Sequence, residues 1–226
     1  FNESDAIKQE TFYATLNKDL NEVTTYPAAK DKLLEMYNKR DPRMMASIIM
    51  PYTTYKGWYS NAPMDTEYVI TEKSGQTNEK NGFIRVNGNY EMYLWRKFVA
   101  EYDMNGAINN REDTPINFPL IRYADVLLMY AECLIETGGD KQLAADLINQ
   151  VRYRAFVTTS LTDSYAKYRK FNLKESDRVT EDTFNAKYKV KASDDLRAAV
   201  RHERRIELAG EGLRFYDLIR WGTFVS

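Results

Sequence analysis

Two carboxylates one helical turn apart are the first place to look for chemistry. Glu203 and Glu207 stand in "RHERRIELAGEGLRFYDLIRWG", residues 201–222. Two carboxyl groups about 5–9 Å apart can split a glycosidic bond. That chemistry needs one acid that keeps its proton near neutral pH, in an open cleft. The same segment, however, carries Arg201, Arg204, Arg205, Arg214 and Arg220. Guanidinium groups hold neighbouring carboxylates ionised, the wrong bias for an acid. On a helical wheel of about 100° per residue, Glu203 and Glu207 fall with Leu196, Ala199, Val200 and Ile206 on the apolar side. A carboxylate carried into a core is costly unless it is paired. Arginine suits it, because its planar fork meets both carboxylate oxygens. Glu203, Glu207, Arg204, Arg214, Asp217 and Arg220 are therefore expected to form a structural ion-pair network. Arg122, Arg214 and Arg220 are the expected partners of the two glutamates, and no catalytic residue is assigned.

A second stretch suits binding rather than reaction. "PYTTYKGWYSNAPMDTEY", residues 51–68, is too broken for a regular helix and is read as an irregular loop. A sugar ring has apolar C–H faces and a polar rim, so it stacks on an aromatic face while polar side chains take the rim. Trp58 and Tyr55 would be the platforms, with Tyr52 and Tyr59 beside them. Asn61, Asp65 and Lys56 would supply hydrogen bonds. The alternative is that these rings pack the segment down, with tyrosine hydroxyls on backbone or water.

Other chemistries are thinly supplied. His202 is the single histidine, which excludes HExxH zinc sites and multi-histidine clusters within these 226 residues. It is expected to hydrogen-bond beside the charge network. Cys133 is the single cysteine, so there is no intrachain disulfide and no CxxC motif. It is read as a packed thiol. No metal or cofactor is expected. Lysine plus arginine number 32 against 33 aspartates and glutamates, a net charge of −1, which leaves no electrostatic case for nucleic acid. No apolar run reaches the roughly 20 residues of a membrane helix. The sequence opens on "FNESDAIKQE" without a signal peptide and stops at "WGTFVS". A fragment is expected.

The elements that would position these residues are mostly helical. "AAKDKLLEMYNKR" puts Leu33, Leu34 and Tyr37 on one face, and "DPR" at 41–43 breaks that pattern. "FIRVNGNYEMYLWRKF" places two β-favouring runs around Asn87-Gly88, a hairpin signal, with Tyr93 and Trp95 read as core. From 118 the period becomes 3.6, with Leu120, Ala124, Leu127, Leu128, Ala131, Leu134 and Ile135 on one face. Pro119 suits the first turn and Gly138-Gly139 the end. Asp140 can cap a second helix with Leu143, Ala144, Leu147, Ile148 and Val151 as its stripe. So short a link makes the pair antiparallel, a helical hairpin of the kind that repeats stack. Residues 158–192 read as a polar, lysine-rich surface insertion, after which Ser193 or Asp194 caps the arginine-rich helix.

Five motifs occur in order: "DPR", "LWRKF", "NFPLIRYADVLLMYAE", "NQVRYRA" and "ERRIELAGEGLRFYDLIRWG". Together they resemble the SusD/RagB family of outer-membrane glycan- or nutrient-binding lipoproteins of Bacteroidetes-type bacteria. The resemblance implies a mainly α fold of tetratricopeptide-like helical pairs, with irregular loops and a small β-hairpin. It divides the chain into a loop-rich, ligand-facing part, 1–118, and a helical-pair scaffold, 119–226, in one domain. It also implies non-enzymatic binding of oligosaccharide or polysaccharide at the cell surface, and delivery to a SusC-like TonB-dependent transporter. The family's lipidated cysteine is not in the sequence, since Cys133 lies mid-helix. The chain is thus expected to be a C-terminal part. Family ligand contacts carry no motif, so no site residue transfers. The alternatives are a helical-repeat scaffold that binds protein only, and a glycoside hydrolase.

Overall fold

The structure is a computed structural model that describes residues 13–18, 22–59, 62–71, 83–87, 94–99, 116–157 and 179–224. It is mainly helical, with seven helices and three small sheets among those residues. The elements fall into two compact units.

The helical unit contains α2 (Pro42–Ser47), α3 (Tyr123–Glu136), α4 (Lys141–Phe156), α5 (Glu181–Lys187), α6 (Leu196–Glu207) and α7 (Arg214–Arg220). Its core joins α3, α4 and α6 through Ala124, Leu127, Leu128, Ala131, Ala144 and Ile148, closed by Val151, Val190, Leu196 and Val200. The stripes expected on α3 and α4 are the ones buried, with two exceptions. Leu120 is 88% exposed and Leu143 37%. Helix α3 begins at Tyr123, so Pro119 and Leu120 precede it rather than open it. Gly138 does end the helix. Its φ of +69° lets Gly139 N–H reach back to the Leu134 carbonyl at 2.7 Å. A residue with a Cβ is strained there. Asp140 caps α4 through the amides of Gln142 and Leu143. The cap of α6 is Asp195, bonded to the Ala198 amide, rather than Ser193 or Asp194. Asp194 instead accepts from the Lys191 amide.

The expected surface insertion 158–192 is built in at its C-terminal end. Thr180 caps α5, and Phe184 is 2% exposed against Tyr153 and Phe156. Asn149 then ties the following strand-like segment down: its amide donates to the Val190 carbonyl and its carbonyl accepts from the Val190 amide, both at 2.8 Å. Composition hid this, because one phenylalanine among lysines carries no period.

The second unit contains α1 (Lys30–Asn38) and the strands β1 (Thr15–Leu16), β2 (Val23–Thr25), β3 (Ile48–Ile49), β4 (Thr54–Tyr59), β5 (Ala62–Thr71), β6 (Phe83–Asn87) and β7 (Leu94–Trp95). Leu33 and Tyr37 of α1 are buried as their spacing predicts. The stretch 51–68 is not an irregular loop. Strands β4 and β5 pair antiparallel from Thr54↔Glu67 to Tyr59↔Ala62. Alternating threonines, tyrosines and tryptophan favour a pleated strand, and that preference wins over Gly57 and Pro63. The hairpin expected around Asn87-Gly88 has its turn glycine and the first part of its second run, residues 88–93, outside the described residues. Strand β6 lies parallel to β5, and β7 pairs with β3. Trp95, read as core, is 52% exposed, and Tyr93 lies outside the described residues. Ile49, Tyr68 and Ile70 form this unit's core, with Tyr13, Tyr55 and Leu94 packed on it.

Candidate functional site

The arginine-rich segment becomes α6, a turn and α7, and its charges split into two clusters. Glu203 and Glu207 leave α6 on one side. Glu203 is fully buried and accepts from Arg43 of α2 and from Arg152 Nε of α4, the latter at 3.0 Å. Glu207 accepts from Arg43 at 3.3 Å, Arg122 at 3.0 Å and Arg154 at 2.5 Å. Arg43 thus bridges both glutamates. Asp41 orients it, accepting from its Nε at 2.9 Å, its Nη2 at 2.7 Å and its backbone amide at 2.9 Å. Arg122 spends its remaining donors on both oxygens of Glu211 and on the Glu207 carbonyl.

Arg204 leaves α6 on another side and forms the second cluster. It donates to Asp125 of α3 at 2.7 Å and to Asp217 of α7 at 3.0 Å. Arg220 closes the set on Glu132 and Asp217, and the Trp221 indole N–H donates to Glu132 at 2.6 Å. Arg204 and Asp217 are 4% and 3% exposed, so the ion pair between them is a buried one.

These surroundings decide what the carboxylates can do. Burial, the largest influence on Glu207, favours its neutral form. Hydrogen bonds from Arg154 and Arg122 and the charges behind them outweigh it, and its pKa lies below the ordinary glutamate value. Asp41 shows the same balance, with burial opposed and overcome by Arg43. Arg43 is held above its ordinary value: burial opposes its charge most, but Asp41 and Glu203 prevail. Glu203 has no path to solvent, and Glu207 carries three guanidinium groups. A glycosidase pair needs an accessible proton donor, and this geometry offers none.

Sequence reasoning placed the two glutamates on the core side but missed most of their partners. Of the three partners expected, Arg122 meets Glu207. Arg220 serves Glu132 and Asp217 instead. Arg214 is exposed, with its guanidinium 5.6 Å from the Trp221 ring, and stands outside the network. The partners missed are Arg43, Arg152 and Arg154, which lie in "DPR" and "VRYRA". A signal existed in Asp125 and Glu132, seven residues apart beside an apolar stripe. His202 is exposed, 3.4 Å from Arg205 through Nδ1. Partial burial first, then the charges of Arg205 and Arg152, lower its pKa. Cys133 is exposed rather than packed. Among the described residues no group of three His, Cys, Asp or Glu side chains gathers as metal ligands, and no helix is long and apolar enough to cross a membrane.

The structure also locates the residues singled out for sugar binding. Tyr55, Trp58 and Tyr59 share strand β4, and Asp65 lies on β5 in register with Lys56. Trp58 is in register with Pro63 and Tyr55 with Thr66. Asn61, and the side chains of Trp58, Tyr59 and Asp65, lie outside what is described. Tyr55 is half-buried against the Ile49, Tyr68 and Ile70 core. Tyr52 is 4% exposed, at a φ of +63°, and donates to the Ile70 carbonyl. A ring so covered cannot serve as a platform. Its neighbour Tyr26, which periodicity did not flag, is 38% exposed. It donates to Glu67 at 2.6 Å and lies under Lys30 Nζ at 3.4 Å.

The sequence matches the SusD family over residues 3–225. SusD-like protein P25 of Formosa agariphila is 39% identical over 141 residues, which is 62% of this chain and 21% of the relative. SusD-like protein P38 of the same organism is 28% identical over 180 residues, 77% of this chain and 31% of the relative. The chain therefore matches about a fifth to a third of the length of these curated relatives. The SusD family consists of binding proteins rather than enzymes. On a match that runs almost from end to end, this chain belongs to the SusD family.

Proposed function

We propose that this chain is part of a surface glycan-binding protein of the bacterial outer membrane. In this reading it binds oligosaccharide or polysaccharide without chemistry and passes it to a SusC-like TonB-dependent transporter. A lipid anchor outside this sequence would hold the whole protein at the membrane. The observation that carries the reading is the family match over residues 3–225. Two structural features support it. The paired carboxylates Glu203 and Glu207 are saturated by arginine, which leaves neither as an acid for hydrolysis. The aromatic residues Tyr55, Trp58 and Tyr59 lie on one paired strand, and because successive residues of a strand alternate between its faces, Trp58 rather than core-packed Tyr55 is the platform proposed. The α3–α4 hairpin with α6 is the scaffold, a tetratricopeptide-like pair in this reading.

Calorimetric titration of the full-length protein against plant, mucin and starch oligosaccharides tests the function. Binding to at least one class is expected, and no binding to any sinks it. Loss of binding in Trp58→Ala, with an unchanged melting temperature, would place the site on β4. Unchanged binding would move it elsewhere.

A further inference from the structure

The helical unit matches its charges closely, which makes the exceptions informative. The carboxylates near Trp221 are all engaged: Glu132 by Arg220 and the indole N–H, Asp217 by Arg204 and Arg220, Glu136 by both arms of the Arg197 fork. Arg201 and Arg214 stand apart from these pairs, as does Arg205, which meets His202. Arg201 lies 4.8 Å and Arg214 5.6 Å from the centre of the Trp221 ring. Neither meets a carboxylate among the described residues. The Arg201 Nε–H is moreover buried with no acceptor. A buried donor of a charged group left without a partner is unfavourable, and an oxyanion on the accessible part of this half-buried guanidinium would offset part of that penalty.

The ring beside which both guanidinium groups lie is itself hydrogen-bonded. Glu132 fixes its N–H at 2.6 Å, and Arg220, 4.9 Å from the same ring, has its donors committed to Glu132 and Asp217. Two guanidinium groups that meet no carboxylate among the described residues, beside one hydrogen-bonded indole, suit a charge-assisted bond to a planar or tetrahedral oxyanion.

We propose that Arg201 and Arg214, anchored on Trp221, form an oxyanion site that takes the carboxylate or sulfate group of an acidic saccharide. The saccharide as carrier rests on the function proposed above; the oxyanion chemistry does not. The site is distinct from the β4 aromatic residues and would favour charged over neutral chains.

Two measurements test it. First, the Arg201 Nε–H and Trp221 Nε1–H resonances are followed by NMR while sodium sulfate, sodium glucuronate or sodium chloride is added at equal ionic strength. Saturable shifts with sulfate or glucuronate, and none with chloride, are expected. Identical responses to all three salts overturn the proposal. Second, a sulfated tetrasaccharide, an oligogalacturonate and a neutral oligosaccharide are titrated calorimetrically at low salt. An affinity advantage on the order of tenfold is expected for one charged class, as one charge-assisted contact supplies. Arg201→Gln and Arg214→Gln should each abolish that advantage while leaving neutral affinity and the melting temperature unchanged. Survival of the advantage in the double variant overturns the site. If sulfate shifts Arg201 but no saccharide binds, the glycan function fails and the oxyanion site stands.

Discussion

The helical unit and the β-rich unit solve the problem of polar residues in opposite ways. In the helical unit, carboxylates are driven into the interior and met there by arginines from α2, α3 and α4. In the β-rich unit, aromatic rings carry much of the burial, with polar tips on acceptors such as the Ile70 carbonyl for Tyr52 and Glu67 for Tyr26, and the buried charge of Arg96 donates to a backbone carbonyl, that of Thr54. A charge lattice has little tolerance, because each charge removed leaves its partner buried and unmatched. A ring on a sheet can be trimmed without leaving a charge behind. In the function proposed above, the difference would assign fold-keeping to the first unit and leave the second freer to vary with ligand.

The sharpest way to break that comparison is at Glu203. Glu203→Ala removes the buried carboxylate that Arg43 and Arg152 share and should cost about 3–5 kcal/mol in urea unfolding. Arg43→Ala, which takes one guanidinium group from each glutamate and the fork that Asp41 holds, should fall in the same range. A loss under about 1 kcal/mol in either would mean that the network is not structural. A smaller loss is expected at Asn149. Asn149→Leu removes both partners of the Val190 backbone and should cost about 2–3 kcal/mol. It should also raise hydrogen exchange at the Val190 amide, and unchanged exchange there would count against a role in fixing the segment after α5.

Acid should separate the units as well. Glu207 and Asp41 have folded-state pKa values below their unfolded ones. Their contribution is therefore complete above the unfolded values, near about 4, and is lost as pH falls through the lower folded values. Stability should decline steeply below about pH 4, and Glu207→Gln should flatten that decline. An equal slope in the variant would mean that other groups control the acid limb.

How far the sequence revealed this depends on period. The α3 and α4 stripes repeat every three or four residues, so Leu128, Ala131, Ile148 and Val151 could be placed in the core from spacing alone. Glu203 and Glu207 were legible for the same reason, as charges on the wrong side of a wheel. Their partners were not: Arg43 lies 160 residues from Glu203, and no local pattern encodes so distant a pairing. Strand β4 was misread because Gly57 and Pro63 suggested a loop. Pairing with β5 is a property of two segments, and neither advertises the other. Phe184 was invisible as a single apolar residue in a polar run. At the candidate binding site, the residue types were readable but their exposure was not. That is why Tyr52 was placed beside the platforms although it is buried.

The smallest effect tests whether local signals carry real energy in this fold. Asp140 caps α4 at a two-glycine turn that spacing alone identified, and its carboxylate holds the amides of Gln142 and Leu143 at 2.8 and 3.0 Å. Asp140→Ala frees two donors at an exposed helix end, where water can replace the lost partner. The cost should therefore be about 1 kcal/mol rather than the several expected at Glu203. The same exchange at Asp195, which caps α6 through the Ala198 amide at 3.0 Å, should cost no more. Helix α6 also carries Glu203, Arg204 and Glu207, so its position is set by ion pairs from both sides as well as by its cap. Urea midpoints for the two alanine variants would decide the matter. A loss at Asp195 as large as that at Glu203 would show that the cap, rather than the buried arginines, sets the register of α6.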